Sequence, residues 1–260
     1  YSNTFWFGGV EIGQFGFNDS VTPYHVSGTD TYVTNVDLLT TQHLRDVTLS
    51  TGPGNDIVHL QTCGTASQVP DPTDAGYDQT YDALLEQCNR PDHTLELDTT
   101  QGDDTITIES LNAITKILAG DDDDNIFVNY DKAQQSTQRN GLYNNELTIH
   151  GEDGGDNYKV GLASVGSSVI NVFDQYDLAL THTGTDQMKI YGTDDRDFFL
   201  FRRGAIIAYP RSVAEATQPG QAAAVERVNY DGNLDSGVNV YGRDEADMFV
   251  FDDTSSVITA

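Results

Sequence analysis

One fourteen-residue pattern recurs six times without a gap, and it limits what the chain can fold into more than any other feature. The copies are Val47–Leu60 (VTLSTGPGNDIVHL), Leu95–Ile108 (LELDTTQGDDTITI), Thr115–Val128 (TKILAGDDDDNIFV), Leu147–Val160 (LTIHGEDGGDNYKV), Met188–Phe201 (MKIYGTDDRDFFLF) and Val238–Phe251 (VNVYGRDEADMFVF). Position ten is always Asp: Asp56, Asp104, Asp124, Asp156, Asp197 and Asp247. Positions one and three, then twelve and fourteen, are mostly apolar. That is the period of two of a half-buried strand, broken in the middle by Gly and Asp, which favour turns. Each window therefore reads as strand, turn, strand. A degraded seventh copy is expected near Val169–Leu180, where Asp177 precedes Leu178-Ala179-Leu180.

The window starts are 48, 20, 32, 41 and 50 residues apart. A constant corner with an elastic return suits coils that stack, their strands pairing in parallel about 4.8 Å apart. The expected fold is all-β: a right-handed parallel β-helix or β-solenoid with its acidic turns stacked along one edge. The alternative is a β-sandwich built from hairpins of the same window. Residues 1–46, with Phe5, Trp6, Phe7, Phe15 and Phe17 among glycines, are expected to form a strand-rich cap or a preceding coil. Residues 47–260 would carry the repeats, with an insertion at 63–88 and a return loop at 202–227. Helical spacing appears at Asp78–Arg90 and again at Ser212–Arg227.

Charge narrows the function. The chain carries 41 acidic and 13 basic residues, a net −28. So acidic a chain has few cations with which to release counterions from nucleic acid or to meet anionic lipid, and its apolar runs are too short to span a membrane. Cations are the partners it favours. The acid is concentrated: positions five to ten of the six windows hold 14 Asp and 2 Glu against Arg196 and Arg243. Stacked about 5 Å apart, neighbouring carboxylates would repel by roughly 0.8 kcal/mol in water and about 3 kcal/mol at an effective dielectric of 20. Either the turns splay into solvent or cations sit between them. Hard oxygen ligands beside turn carbonyls suit Ca²⁺ better than Mg²⁺, which demands stricter geometry. The candidate ligands are Asp56, Asp103, Asp104, Asp121, Asp122, Asp123, Asp124, Asp153, Asp156, Asp194, Asp195, Asp197, Asp244 and Asp247. The competing role for each is an Asx residue capping its turn with no metal.

The runs Gly52-Pro53-Gly54-Asn55-Asp56-Ile57-Val58, Gly102-Asp103-Asp104-Thr105-Ile106 and Gly120-Asp121-Asp122-Asp123-Asp124-Asn125-Ile126 resemble the G-G-x-G-x-D-x-U-x repeats of the RTX, or haemolysin-type, calcium-binding family. The resemblance implies a β-roll in which turn carbonyls and the repeat Asp hold Ca²⁺ between coils. It fits Asp56, Asp104 and Asp124 best. Asp156, Asp197 and Asp247 sit in turns that have lost glycines, and true tandem nonapeptides are absent. The chain looks more like the diverged repeats of large secreted or surface-displayed proteins, with one acidic edge.

Two cysteines, Cys63 and Cys88, bracket the insertion and are expected to form a disulfide that ties it down, the alternative being two buried thiols. Asn18-Asp19-Ser20 is a glycosylation sequon. The chain opens at Tyr1 with no signal peptide, so either one was removed or this is an excerpt of a longer protein, and Ser255–Ala260, which reads as a strand just starting, favours the excerpt. Leu118, Phe127, Tyr191, Leu200, Tyr241 and Val250 should point outward, either under return loops or as an interface with glycan, a second copy or neighbouring repeats. No nucleophile elbow, zincin motif or phosphate loop is present. The expectation is a non-catalytic, Ca²⁺-stabilised extracellular or cell-surface module of an adhesive or filament-forming protein. A carbohydrate-active β-helix (a polysaccharide lyase, hydrolase or epimerase) is the alternative.

Overall fold

The computed structural model describes residues 3–7, 10–15, 34–35, 46–61, 94–111, 113–131, 136–137, 146–162, 168–174, 184–194, 196–210, 225–232, 234–252 and 258–259. The protein is all-β, with no helix among the described residues. The chain opens with β1 (Asn3–Phe7), β2 (Val10–Phe15) and β3 (Thr34–Asn35). The first window supplies β4 (Asp46–Ser50) and β5 (Ile57–Gln61), the second β6 (Thr94–Asp98) and β7 (Thr105–Ser110). The third supplies β8 (Ile114–Asp121) and β9 (Asn125–Val128), followed by the short pair β10 (Tyr130–Asp131) and β11 (Ser136–Thr137). The fourth supplies β12 (Glu146–Asp153) and β13 (Asn157–Gly161), and β14 (Val169–Phe173) follows. Next come β15 (Gln187–Tyr191), β16 (Asp197–Arg202), β17 (Ala205–Pro210) and β18 (Glu226–Tyr230). The last are β19 (Val238–Tyr241), β20 (Met248–Phe251) and β21 (Ile258–Thr259).

Two long sheets result. One has the order β20-β16-β17-β18-β14-β12-β8-β6-β4, the other β21-β19-β15-β13-β9-β7-β5-β3. The two strands of a window never pair with each other. Within windows one to four, and again between windows five and six, each pairs in parallel with the same strand of the neighbouring window, as in Leu97↔Ile117, Ile106↔Ile126 and Phe199↔Phe249. Hairpins built from one window are therefore not the repeat unit. Antiparallel pairing is confined, among the described residues, to β1–β2, β10–β11 and the meander β16–β17–β18. The alternation read in the sequence sets which faces meet. Leu49, Leu97, Ile117 and Ile149 point inward from the nine-stranded sheet and Val58, Ile106, Ile126 and Tyr158 from the eight-stranded one, all in one core.

The structure departs from the expected organisation in four respects. First, windows one to four begin in the nine-stranded sheet and end in the eight-stranded one, whereas windows five and six run the other way. Strands of a parallel sheet all leave it at the same end, so the turns of windows five and six lie at the opposite edge. The expected single acidic edge is thus two. Secondly, the cause is the seventh copy: β14 is its first strand, but its second is β15, which also opens window five. Asp186, directly before β15, takes position ten; the expected Asp177 lies outside the described residues. Thirdly, the expected return loop 202–227 contains β17 and the start of β18, so Glu226 and Arg227 are strand and not helix. Fourthly, the six outward residues occupy two faces: Leu118, Leu200 and Val250 belong to the nine-stranded sheet and Phe127, Tyr191 and Tyr241 to the eight-stranded one. The helix expected at 78–90 lies outside the described residues, as do Asn18, Cys63 and Cys88.

Candidate functional site

The turn that leaves the nine-stranded sheet needs left-handed backbone at two places. Position six has φ of 84° at Gly52, 68° at Thr100, 104° at Gly120 and 75° at Glu152; position eight has 131° at Gly54, 122° at Gly102, 84° at Asp122 and 155° at Gly154. Only Gly adopts such angles without a steric penalty, which explains the G-x-G look of these turns. Close stacking adds a second reason at Gly102 and Gly120, where a Cβ would run into the carbonyls of Gly54 and Thr100 in the turn below. Gly184, φ 119°, sits at position eight of the seventh copy, two residues before Asp186, and packs on the Gly154 carbonyl.

These turns bring five aspartates into a column. The Asp56 N–H donates to Asp104 Oδ1 (2.6 Å), Asp104 N–H to Asp124 Oδ1 (2.8 Å), Asp124 N–H to Asp156 Oδ1 (2.9 Å) and Asp156 N–H to Asp186 Oδ1 (2.8 Å). Each side chain thus caps the backbone of the preceding turn across the stack, a charge-assisted bond. The main chain is locked in step: Thr105, Asn125, Asn157 and Gln187 each donate to the carbonyl of the column aspartate one turn back, all at 2.9 Å. All five aspartates are buried, at 2% exposure or less. The capping role anticipated for position ten is present, but between turns rather than within one.

Burial drives three of these acids toward the protonated form. Desolvation and neighbouring column carboxylates push Asp104 up to about 7, Asp124 to about 9 and Asp156 to about 7, against the lowering effect of the N–H each accepts. Asp124 is the extreme because carboxylates flank it on both sides, Asp156 and Asp104, and no side-chain donor among the described residues offsets them, whereas Thr99 lowers Asp104. Asp156 is relieved by Tyr158, whose hydroxyl donates to Oδ2 at 3.2 Å. The phenol is itself raised well above its ordinary value by burial and by this carboxylate.

One place in the column gathers three acids. Position five is small in every window, Thr51, Thr99, Ala119, Gly151, Gly192 and Gly242, because the position-ten carboxylate folds over it; a Cβ on Gly151, Gly192 or Gly242 would strike Asp156, Asp197 or Asp247. In the seventh copy position five is Asp174. Its carboxylate, with those of Asp156 and Asp186, offers oxygens all within 4.8 Å of one another. All three residues are buried. Burial, and then the Asp186 carboxylate, raise Asp174. A Ca²⁺ bound at about 2.4 Å spans up to about 4.8 Å between opposite ligands, so the donor type and reach of this triad fit that ion. The missing Cβ of Gly151 leaves the space that Asp156 Oδ2 and the Tyr158 hydroxyl fill.

The remaining candidates divide by position. Asp103, Asp121, Asp122 and Asp123 are exposed around the column and Asp153 is half-buried. Asp123 Oδ1 accepts from Gly155 N–H at 2.8 Å, Asp103 Oδ1 accepts from Asp123 N–H at 3.3 Å, and Asp121 Oδ2 accepts from Gln101 at 2.9 Å. The turn carbonyls of Gln101, Asp121 and Asp153 accept interturn bonds from the N–H groups of Gly54, Gly102 and Asp122. Asp197 and Asp247 form a separate, two-turn column at the other edge, where Asp197 N–H donates to Asp247 Oδ1 at 2.9 Å. There Asp197 also caps its own turn through Thr193 N–H at 2.6 Å. Asp194 pairs with Arg243 at 3.0 Å, Asp244 is exposed, and Asp195 lies outside the described residues.

Asp174 and Asp186 are the site residues that the sequence reading missed. Gly184-Thr185-Asp186 repeats the spacing of Gly102-Asp103-Asp104, but window five begins two residues later and hides it. The outward aromatics gather too. Tyr130, Tyr191 and Tyr241 stack at 4.8 and 5.0 Å, and Phe127 is covered by Tyr130 and by Lys159, whose Nζ lies 5.2 Å from its ring centre. Tyr241, 43% exposed, is the most open of the six expected interface residues. No protein-family model, curated protein sequence or solved structure matches the chain.

Proposed function

We propose that this chain is a calcium-stiffened, non-catalytic β-solenoid segment, akin to diverged RTX-type repeats, working outside the cell in a surface, adhesive or filament-forming protein. The observation that carries the reading is the triad of Asp156, Asp174 and Asp186 within a column of buried carboxylates. Burying even one ionised carboxylate costs several kcal/mol unless it is paired, so at neutral pH this column takes up protons or a cation. Ca²⁺ fits the all-oxygen donor set, and its binding energy would then be folding energy. The in-step pairing of successive windows supports the solenoid, and the known bias of parallel crossovers supports its right hand. A stiff rod that tightens where calcium is plentiful suits a structural part better than a hinge or a catalyst.

Thermal melts at pH 7.5 in EDTA and in 5 mM CaCl₂ test this. At a free concentration about 100 times Kd the ion adds about 2.7 kcal/mol, which raises Tm by several degrees. Equal midpoints for the wild type in both buffers would remove the metal role. A Ca²⁺ shift that survives Asp174→Ala and Asp186→Ala would move the ion away from the triad.

A further inference from the structure

We infer that the edge of β20 is a docking site for the turn and second strand of one further rung of the same pattern, the rung whose first strand is β21. The inference rests on the stacked-rung reading of the fold and is independent of calcium. Windows five and six show how such rungs join. Asp247 Oδ1 accepts from Asp197 N–H, Tyr241 O from Gly192 N–H at 2.7 Å, and Phe201 O from Asp252 N–H at 2.9 Å. Phe249 stacks on Phe199 with centroids 5.1 Å apart, and Phe251 on Phe201 at 4.5 Å. Arg243 reaches back to Asp194. Under this cover Asp197, Phe199 and Phe201 are buried to 1% or less.

Window six carries the same residue types on an open edge. Asp247 and Phe249 are only half-buried, while Met248 and Phe251 are each 56% exposed. Among the described residues, β20 is the terminal strand of the nine-stranded sheet. Asp252 N–H points back to β16, so in a parallel ladder the N–H groups of Asp247, Phe249 and Phe251 face the open side. The other end of that sheet is closed by comparison, since Leu49 on the edge strand β4 is 1% exposed. The asymmetry argues against a head-to-tail copy of this chain. Beside the open edge, β21 lies on β19 with Ile258 opposite Val238 and Thr259 opposite Asn239, in register with positions one and two of window six.

These contacts define the occupant. It carries a carboxylate at position ten to accept the Asp247 N–H, apolar or aromatic residues at twelve and fourteen to stack on Phe249 and Phe251, and a basic residue at position six to pair with Asp244, as Arg243 pairs with Asp194. Exposed aromatic edges otherwise invite unspecific pairing, so a specific partner is the physical remedy.

The test appends the sequence Tyr-Gly-Arg-Asp-Glu-Ala-Asp-Met-Phe-Val-Phe-Asp, a copy of residues 241–252, to the full chain and follows native amide exchange in EDTA. Protection of the Asp247, Phe249 and Phe251 amides should rise at least about tenfold. The same tail with its tenth-position Asp replaced by Ala should lose protection at Asp247 first, and a scrambled tail should give none. Unchanged exchange with the intact tail overturns the inference, as does equal protection by the scrambled one. Concentration-dependent protection in the unextended chain, abolished by Phe251→Lys, would put a second copy on this edge and overturn it as well. Because no calcium is present, these outcomes stand apart from that of the calcium melts.

Discussion

Asp124→Asn should stabilise this protein at pH 7.5 in EDTA although it removes the aspartate found at position ten of every window. Asp124 Oδ1 accepts the Asp104 N–H at 2.8 Å, and an amide oxygen can do the same. What the amide lacks is the charge. In the folded protein this carboxyl is pushed up to about 9, chiefly by desolvation and then by Asp156 and Asp104. Its unfolded counterpart titrates at about 3.9. The sign follows from linkage. A carboxyl raised on folding holds a proton that the unfolded chain has lost, so stability is fully present below about pH 3.9 and falls as pH climbs toward about 9. At pH 7.5 keeping it protonated costs about 5 kcal/mol, at pH 5 about 1.5 kcal/mol. Asparagine avoids that cost but buries a second amide hydrogen, which costs about 1–3 kcal/mol if it finds no acceptor. The net gain at pH 7.5 is about 2–4 kcal/mol, or about 5–10 °C in Tm for a chain of this size, shrinking to nothing or reversing at pH 5. Urea melts of both proteins at the two pH values measure it. If the variant loses the same stability at both, Asp124 is ionised at no cost in the fold, and the account of the column fails.

Other expectations follow from the same geometry. Gly151→Ala should destabilise by about 1–3 kcal/mol in denaturant melts, because its methyl would collide with Asp156 Oδ2 and the Tyr158 hydroxyl. Tyr158→Phe removes the donor to Asp156 and should raise the Asp156 pKa further, read by carboxyl carbon NMR, with a loss of about 1–2 kcal/mol that grows from pH 5 to pH 8. Opposite signs are expected at two left-handed turn positions. Asp122→Gly, at φ 84° on an exposed side chain, should gain about 1 kcal/mol, whereas Gly120→Ala, at φ 104° above the Thr100 carbonyl, should lose more than about 2 kcal/mol, both by urea titration.

Much of the architecture was legible in the pattern itself. Period-two alternation ties Leu97, Ile106, Ile117 and Ile126 to one core, and invariant spacing across the turn makes successive windows superimpose, so parallel strands and a column of position-ten aspartates follow from local chemistry. The left-handed turns were legible too, in their glycines. Three things were not, because they depend on which sheet a strand joins. β15 serves two turns at once, a double use that no single window reveals. That sharing sends Asp197 and Asp247 to the far edge and leaves Asp186 to continue the column. It also places Asp174, an unremarkable acid after an apolar run, beside two other buried carboxylates. Local sequence decides that a segment extends or turns, because those preferences belong to a few residues at a time. The tertiary structure decides which carboxylates lose their water together, because desolvation depends on everything packed around them.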